Sequence, residues 1–168
     1  MKRSVEKGKI TYEQCEAAIP RLTTTTDQAD LADCDLIIEA VPEKLGLKQD
    51  VFASLDKICK PSCIFTSNTS GFVIAEIAEK CSDARKKLFA GMHYSNPVPV
   101  MRMLEIIYTE ETSQDCIDAC YQLGEAQDKA ISLVRDVPGT YGFILNRVFA
   151  AAAREARQLV DEGIAQGC

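Results

Sequence analysis

The sequence predicts an α/β protein with a mostly parallel sheet, and three observations carry that expectation. Short apolar runs, such as Leu36-Ile-Ile38, Cys63-Ile-Phe65 and Leu88-Phe-Ala90, are bounded by turn-forming residues and have strand length. Between them, apolar residues recur at helical spacing over about 10–15 residues, the alternation that marks βαβ units. After the turn Asp136-Val-Pro-Gly139 the pattern changes to a single long helix rich in alanine and arginine. The expected boundary therefore separates residues 1–136 from residues 137–168.

The elements follow in order. Residues 1–19 read as helical with a break near Gly8, and Thr11-Tyr-Glu-Gln14 matches a capping box. Pro20 ends the helix, and Arg21 to Thr26 reads as a short β-branched strand. Asp35 to Val41 is the next strand, and Leu45, Leu47, Val51, Phe52, Leu55 and Ile58 then give a helix covering the sheet. Cys63 to Thr66 is a strand broken by Ser67-Asn-Thr-Ser-Gly71, after which Val73, Ile74, Ile77 and Ala78 form a further amphipathic helix. Leu88 to His93 is a strand, Glu105 to Tyr108 another, and Ser113 caps a helix reaching about Ala126. Ala130 to Val134 is the last strand, and Phe143 to about Glu162 the long helix.

Composition narrows the class of protein. Of the 168 residues, 46% are hydrophobic and 26% charged, the balance of a soluble globular protein. The net charge of −6, with no concentrated basic face, argues against nucleic acid as a partner. No apolar run approaches the roughly 18 residues of a membrane span, and the N-terminus has no apolar core of a signal peptide. A cytoplasmic protein with no membrane partner is expected. The eight cysteines lack a Cys-x-x-Cys pair and share the chain with one histidine, so reduced thiols and no metal site are expected.

That histidine sits in the most informative stretch, Gly91-Met-His-Tyr-Ser-Asn-Pro-Val-Pro-Val-Met-Arg-Met-Leu-Glu105. A strand ending in His93, followed by a Pro-x-Pro turn that starts no helix, places an imidazole at the rim of a sheet. The carboxyl-end rim is where open α/β sheets bind ligands, and an imidazole is suited to proton transfer near neutrality.

Four segments in register then resemble one family: Asp35-Leu-Ile-Ile-Glu-Ala-Val-Pro-Glu43, Ser67-Asn-Thr-Ser70, the His93 stretch, and Gly142-Phe-Ile-Leu-Asn-Arg147. Their order and spacing resemble the 3-hydroxyacyl-CoA dehydrogenases, most closely the short bacterial 3-hydroxybutyryl-CoA dehydrogenases, over essentially the whole chain. The resemblance implies a Rossmann-like sheet followed by the first helix of an all-α domain. It implies reversible hydride transfer between an L-3-hydroxyacyl-CoA and NAD, in fatty-acid and butanoate metabolism, by a homodimer. His93 matches the family's general base, Glu105 the carboxylate paired with it, and Ser70 and Asn146 the groups that hydrogen-bond the reacting oxygen. Ala40, Glu43, Lys48, Ser70 and Asn96 match the family's NAD contacts. Taken singly, Ser70 also fits a helix cap, Glu105 a surface charge, Asn146 an exposed helix residue and Lys48 a solvated lysine.

The sequence also departs from the family. The family opens with a strand, a Gly-x-Gly-x-x-Gly turn and a helix, and the 168 residues contain no such turn. Its bare backbone lets a pyrophosphate approach a helix N-terminus. The sheet is thus expected to lack its first β-α-β unit, and these residues alone to show little or no activity. The acidic residue that selects NAD over NADP belongs to the same unit, which leaves that preference open. The linker Pro138-Gly-Thr-Tyr-Gly-Phe143 is about three residues longer than the family's Pro-Gly-Phe. Two alternatives stand beside the dehydrogenase: an inactive fragment or interaction module that keeps the fold, and a segment of a multifunctional β-oxidation protein.

Overall fold

Capping chemistry sets the first helices where the sequence places them. The computed structural model describes residues 2–8 and 10–166, and the chain divides into one unit up to Asp30 and another from Leu31 onward. In the first unit, α1 (Lys2–Glu6) is followed by Gly8 at φ 62°, a left-handed conformation that glycine adopts without strain. The capping box opens α2 (Tyr12–Ala18): the Gln14 N–H donates to Thr11 Oγ1 at 3.2 Å, and the Thr11 N–H donates to Gln14 Oε1 at 2.9 Å. Pro20 lies in a 3-10 turn, Ile19–Arg21, that closes the helix.

The strand expected over Arg21 to Thr26 does not form. These residues pair with no other strand among the described residues, and the Thr25 hydroxyl serves the local chain instead. Thr25 Oγ1 accepts the Asp27 N–H at 3.0 Å and donates to Asp30 Oδ2 at 2.5 Å. Such side-chain bonds offer the backbone an alternative to a ladder.

In the second unit the apolar runs form one five-stranded sheet. In both chain and spatial order its strands are β1 (Leu36–Glu39), β2 (Ile64–Ser67), β3 (Phe89–Tyr94), β4 (Met103–Tyr108) and β5 (Ala130–Arg135). The first three run parallel, β4 is antiparallel to β3, and β5 is parallel to β4. Parallel neighbours require a crossover. The helix α3 (Leu45–Leu55) supplies the first, α4 (Ile74–Ile77) with α5 (Asp83–Lys86) the second, and α6 (Gln114–Ala126) the third. The antiparallel step needs only the turn after Asn96, whose bond to Pro97 is cis. Ser113 caps α6 as expected, its hydroxyl accepting the Cys116 N–H at 3.3 Å. The long helix α7 (Ile144–Asp161) follows the linker, and none of its side chains is buried. Among the described residues no helix is long and apolar enough to cross a membrane.

Alternation along the strands sorts side chains onto two faces. Ile37, Phe65, Phe89 and Ile107 pack with Phe52 and Leu55 of α3 and with Ile74 and Ile77 of α4. On the opposite face, Ala90, Met92, Leu104 and Ile106 pack with Cys116 and Cys120 of α6. Burial pushes the Cys63 thiol up to about 11 and the Cys81 thiol up to about 12, so both stay protonated and behave as small apolar groups. All seven described cysteines are free, and Cys168 lies outside the described residues.

The first face is closed tightly over β3 at Gly91. A Cβ there would stand 2.9 Å from the methyl ends of Ile107 and Ile74 and 3.0 Å from Ile107 Cβ. Gly91→Ala is therefore expected to cost about 1–3 kcal/mol, the usual penalty of overpacking a core. Urea denaturation of the two proteins measures it.

Candidate active site

Strand register builds the centre of the site. Parallel pairing brings the carboxyl ends of β1, β2 and β3 to one rim, and the antiparallel β4 starts there. His93 and Glu105 are direct cross-strand partners, so their side chains share a face. His93 Nδ1 lies 2.7 Å from Glu105 Oε2. The other carboxylate oxygen, Oε1, accepts the Leu145 N–H at 2.9 Å, which ties the first turn of α7 to the same group. At 1% exposure Glu105 is no surface charge. The Phe143 ring, 5.7 Å from the imidazole and tilted, covers another side of His93.

The linker and the start of α7 dock on the segment after β2. The Gly142 N–H donates to the Gly71 carbonyl at 3.1 Å, and Asn146 Nδ2 donates to the Ser70 carbonyl at 3.2 Å. The Tyr141 ring lies against Gly71 so closely that a Cβ there would come within 2.6 Å of it. Ser70 and Asn146, far apart in the chain, thus meet at the rim despite the longer linker.

Ala40, Glu43, Ser70 and Asn96 are exposed along this rim, at the ends of β1, β2 and β3. Lys48 is not. It is 1% exposed, and the solvated lysine that the sequence allowed does not exist. Its Nζ lies 2.9 Å from Glu39 Oε1, 3.1 Å from Glu39 Oε2, 3.1 Å from Glu43 Oε2 and 3.3 Å from the Val41 carbonyl. Glu39, 4% exposed, also accepts the Val41 N–H at 2.6 Å and the Ser67 hydroxyl at 2.6 Å. Glu43 Oε1 in turn accepts the Thr69 hydroxyl and, at 3.1 Å, the Ser70 N–H. Partial burial alone would raise the Glu43 carboxyl, but Thr69, Lys48 and the Ser70 N–H outweigh it and hold it below the usual carboxylate range. Glu43 is therefore an anion at neutral pH. Among the described residues no group of three or more His, Cys, Asp or Glu is placed to hold a metal.

Comparison with known proteins shows the family. Residues 1–137 match the family model described as the 3-hydroxyacyl-CoA dehydrogenase NAD-binding domain. The chain belongs to the 3-hydroxyacyl-CoA dehydrogenase family. A probable 3-hydroxybutyryl-CoA dehydrogenase of Deinococcus radiodurans is 38% identical over 161 residues, which span 96% of this chain and 56% of that relative. Human mitochondrial hydroxyacyl-coenzyme A dehydrogenase is 36% identical over 163 residues, 96% of this chain and 50% of its own length. The crystal structure of (S)-3-hydroxybutyryl-CoA dehydrogenase from Ralstonia eutropha superposes with a TM-score of 0.89 at 34% identity, covering 98% of this chain and 56% of that one. The chain thus spans about half the length of these dehydrogenases, and its mostly parallel sheet is of their Rossmann type.

Several groups of the candidate site carry no role in the sequence reading. Glu39 is the clearest. An acidic residue at an inward position of a buried strand, nine residues before a lysine, is the signal that could have found it. Thr69, fully buried, and Asn68, whose Oδ1 accepts the Tyr94 N–H at 2.9 Å, lie inside a motif whose reading rests on Ser70 alone. The Leu145 N–H has no side-chain signature at all.

Proposed function

We propose that the natural full-length polypeptide oxidises an L-3-hydroxyacyl-CoA, of the 3-hydroxybutyryl-CoA class, to the 3-oxoacyl-CoA with NAD as hydride acceptor. The observation that carries this reading is the His93–Glu105 pair at 2.7 Å on the sheet rim of a family member. His93 is the general base. With its Nδ1–H donated to Glu105, the neutral ring presents Nε2 as an acceptor, which takes the substrate's 3-hydroxyl proton as the C3–H hydride departs. Glu105 holds the tautomer and stabilises the imidazolium formed, and the Leu145 N–H keeps the carboxylate from turning away. In the reverse direction the imidazolium returns the proton to the 3-oxo oxygen.

Ser70 and Asn146, joined at the rim, are the donors that stabilise charge on the reacting oxygen. The rim suits a dinucleotide chemically. The Ser70 hydroxyl and the Asn96 amide are exposed and make no side-chain hydrogen bond with other described residues, and Glu43 offers an anionic acceptor beside Ala40. Ala40, Glu43, Lys48, Ser70 and Asn96 would hold NAD, and the nicotinamide supplies the hydride acceptor when bound. The NAD-binding portion runs to residue 136, and residues 137–168 begin a helical domain. The protein acts in the cytoplasm as a homodimer on acyl-CoA substrates, with neither nucleic acid nor membrane as a partner.

Reduction of acetoacetyl-CoA, followed by loss of NADH absorbance, tests the reading. Turnover is expected, and Asn146→Ala should lower kcat by about 10²-fold, the scale of one oxyanion donor. A folded full-length polypeptide that leaves NADH unchanged with acetoacetyl-CoA present would overturn it.

A further inference from the structure

The longer linker, Pro138 to Phe143, puts an aromatic ring at the rim of the site, and the proposed chemistry gives that ring no task. Resting on the reading of Ser70 and Asn146 as donors to the reacting oxygen, we infer that Tyr141 is a specificity-determining residue. Its ring is a wall beside those donors that admits short acyl chains and turns longer ones away. The backbone on either side holds it in place. Before it, the Thr140 N–H and hydroxyl both donate to the Val137 carbonyl, at 3.2 and 2.7 Å. After it, the Gly142 N–H donates to the Gly71 carbonyl at 3.1 Å, with Gly142 at φ 84°, a conformation that glycine adopts without strain.

The ring itself lies over Gly71. A Cβ on that glycine would stand 2.6 Å from both Cε1 and Cζ of Tyr141 and 2.9 Å from Cε2. The hydroxyl-bearing end of the ring thus occupies the space that a side chain at position 71 would need. The Phe72 ring meets it edge-on, with centroids 6.2 Å apart. Ser70 directly precedes the glycine on which the ring sits, and Asn146 donates to the Ser70 carbonyl at 3.2 Å. Tyr141 and Asn146 also line one cleft of about 870 Å³ between the end of β5 and α7, whose other walls include Val137, Ile144, Val148 and Ala151. The ring therefore borders both the donors to the 3-oxygen and an apolar space of the kind a hydrocarbon tail would enter. At 67% exposure it adds little to the core. What it offers is a rigid surface, and an apolar site discriminates by about tenfold or more for each methylene it accepts or refuses.

The test compares kcat/KM for reduction of acetoacetyl-CoA and of 3-oxooctanoyl-CoA by NADH, in the natural full-length polypeptide and its variants. The parent is expected to favour acetoacetyl-CoA. Tyr141→Ala is expected to raise the ratio of 3-oxooctanoyl-CoA to acetoacetyl-CoA activity by about tenfold or more. Tyr141→Phe keeps the ring and is expected to keep the parent's ratio. Gly71→Ala, whose methyl displaces the ring, is expected to shift the ratio in the same direction as Tyr141→Ala. Combined with Tyr141→Ala it should add less than about twofold, because residues in contact are not additive. A parent that already prefers the longer substrate, equal changes on both substrates in Tyr141→Ala, a Tyr141→Phe protein that behaves like the alanine variant, or a Gly71→Ala protein with the parent's ratio would each overturn the inference while leaving the dehydrogenase reading in place. A folded parent that reduces neither substrate would overturn the dehydrogenase reading first and the inference with it.

Discussion

Glu105→Gln is expected to lower kcat for 3-hydroxybutyryl-CoA oxidation by about 10³-fold while leaving the fold in place. Glutamine has the shape of the carboxylate but one acceptor where the site needs two. Oε1 can still accept the Leu145 N–H, which then turns the amide NH₂ toward His93 Nδ1. The imidazole must accept there, so its proton moves to Nε2 and the ring loses the lone pair that serves as base. The imidazolium that forms during oxidation also loses its counter-charge. Circular dichroism and Tm alongside the kinetics separate this from unfolding, since both hydrogen bonds survive in altered form. A kcat within about threefold of the parent would show that Glu105 does not act through His93.

Arg85→Met is the substitution with the largest expected effect on stability, a loss of about 3–5 kcal/mol. Arg85 on α5 is 3% exposed, and its guanidinium joins elements that are distant in sequence. Nε donates to Asp56 Oδ1 at 2.9 Å, Nη2 to the Lys60 carbonyl at 3.0 Å and Nη1 to the Cys63 carbonyl, while the ion sits 4.3 Å from the Phe65 ring centroid. Methionine fills much of the volume but leaves Asp56 and the carbonyls without their donor. The pH dependence has a definite sign. Partial burial would raise the Asp56 carboxyl, but the Ser82 N–H and Arg85 outweigh it and hold it below its ordinary value of 3.8. A carboxyl lowered by folding contributes stability that is present above its ordinary value and is lost as pH falls through the lowered one. Urea denaturation should therefore show the gap between parent and variant wide at neutral pH and narrowing in strong acid. Equal midpoints at neutral pH would contradict the account.

Most of the fold was legible because its signals are local. The apolar runs at Leu36, Ile64, Phe89 and Ala130, the Ser113 cap and the turn after Asp136 each depend on a few neighbouring residues, and each forms as expected. Arg21 to Thr26 misled for a physical reason: β-branching favours an extended chain, but a strand also requires a partner, and partners are not written locally. The site divides the same way. His93 and Glu105 stand in one continuous stretch, yet only the antiparallel register makes them face each other, and only folding brings the Leu145 N–H to the second oxygen. Lys48 is the harder case. A lysine on an amphipathic helix reads as solvated until Glu39 and Glu43, one on the strand before it and one in the loop between, are known to enclose it.

Glu105 is proposed to orient His93 for proton transfer, and the single histidine of this chain allows that to be tested with one resonance set. A long-range ¹H–¹⁵N correlation spectrum of the imidazole, recorded at alkaline pH, reports which nitrogen carries the proton. The Nδ1–H tautomer, with Nε2 bare, is expected, with a change to Nε2–H in Glu105→Gln. An Nε2–H tautomer in the parent protein, or a ring averaging between the two as free imidazole does, would contradict it.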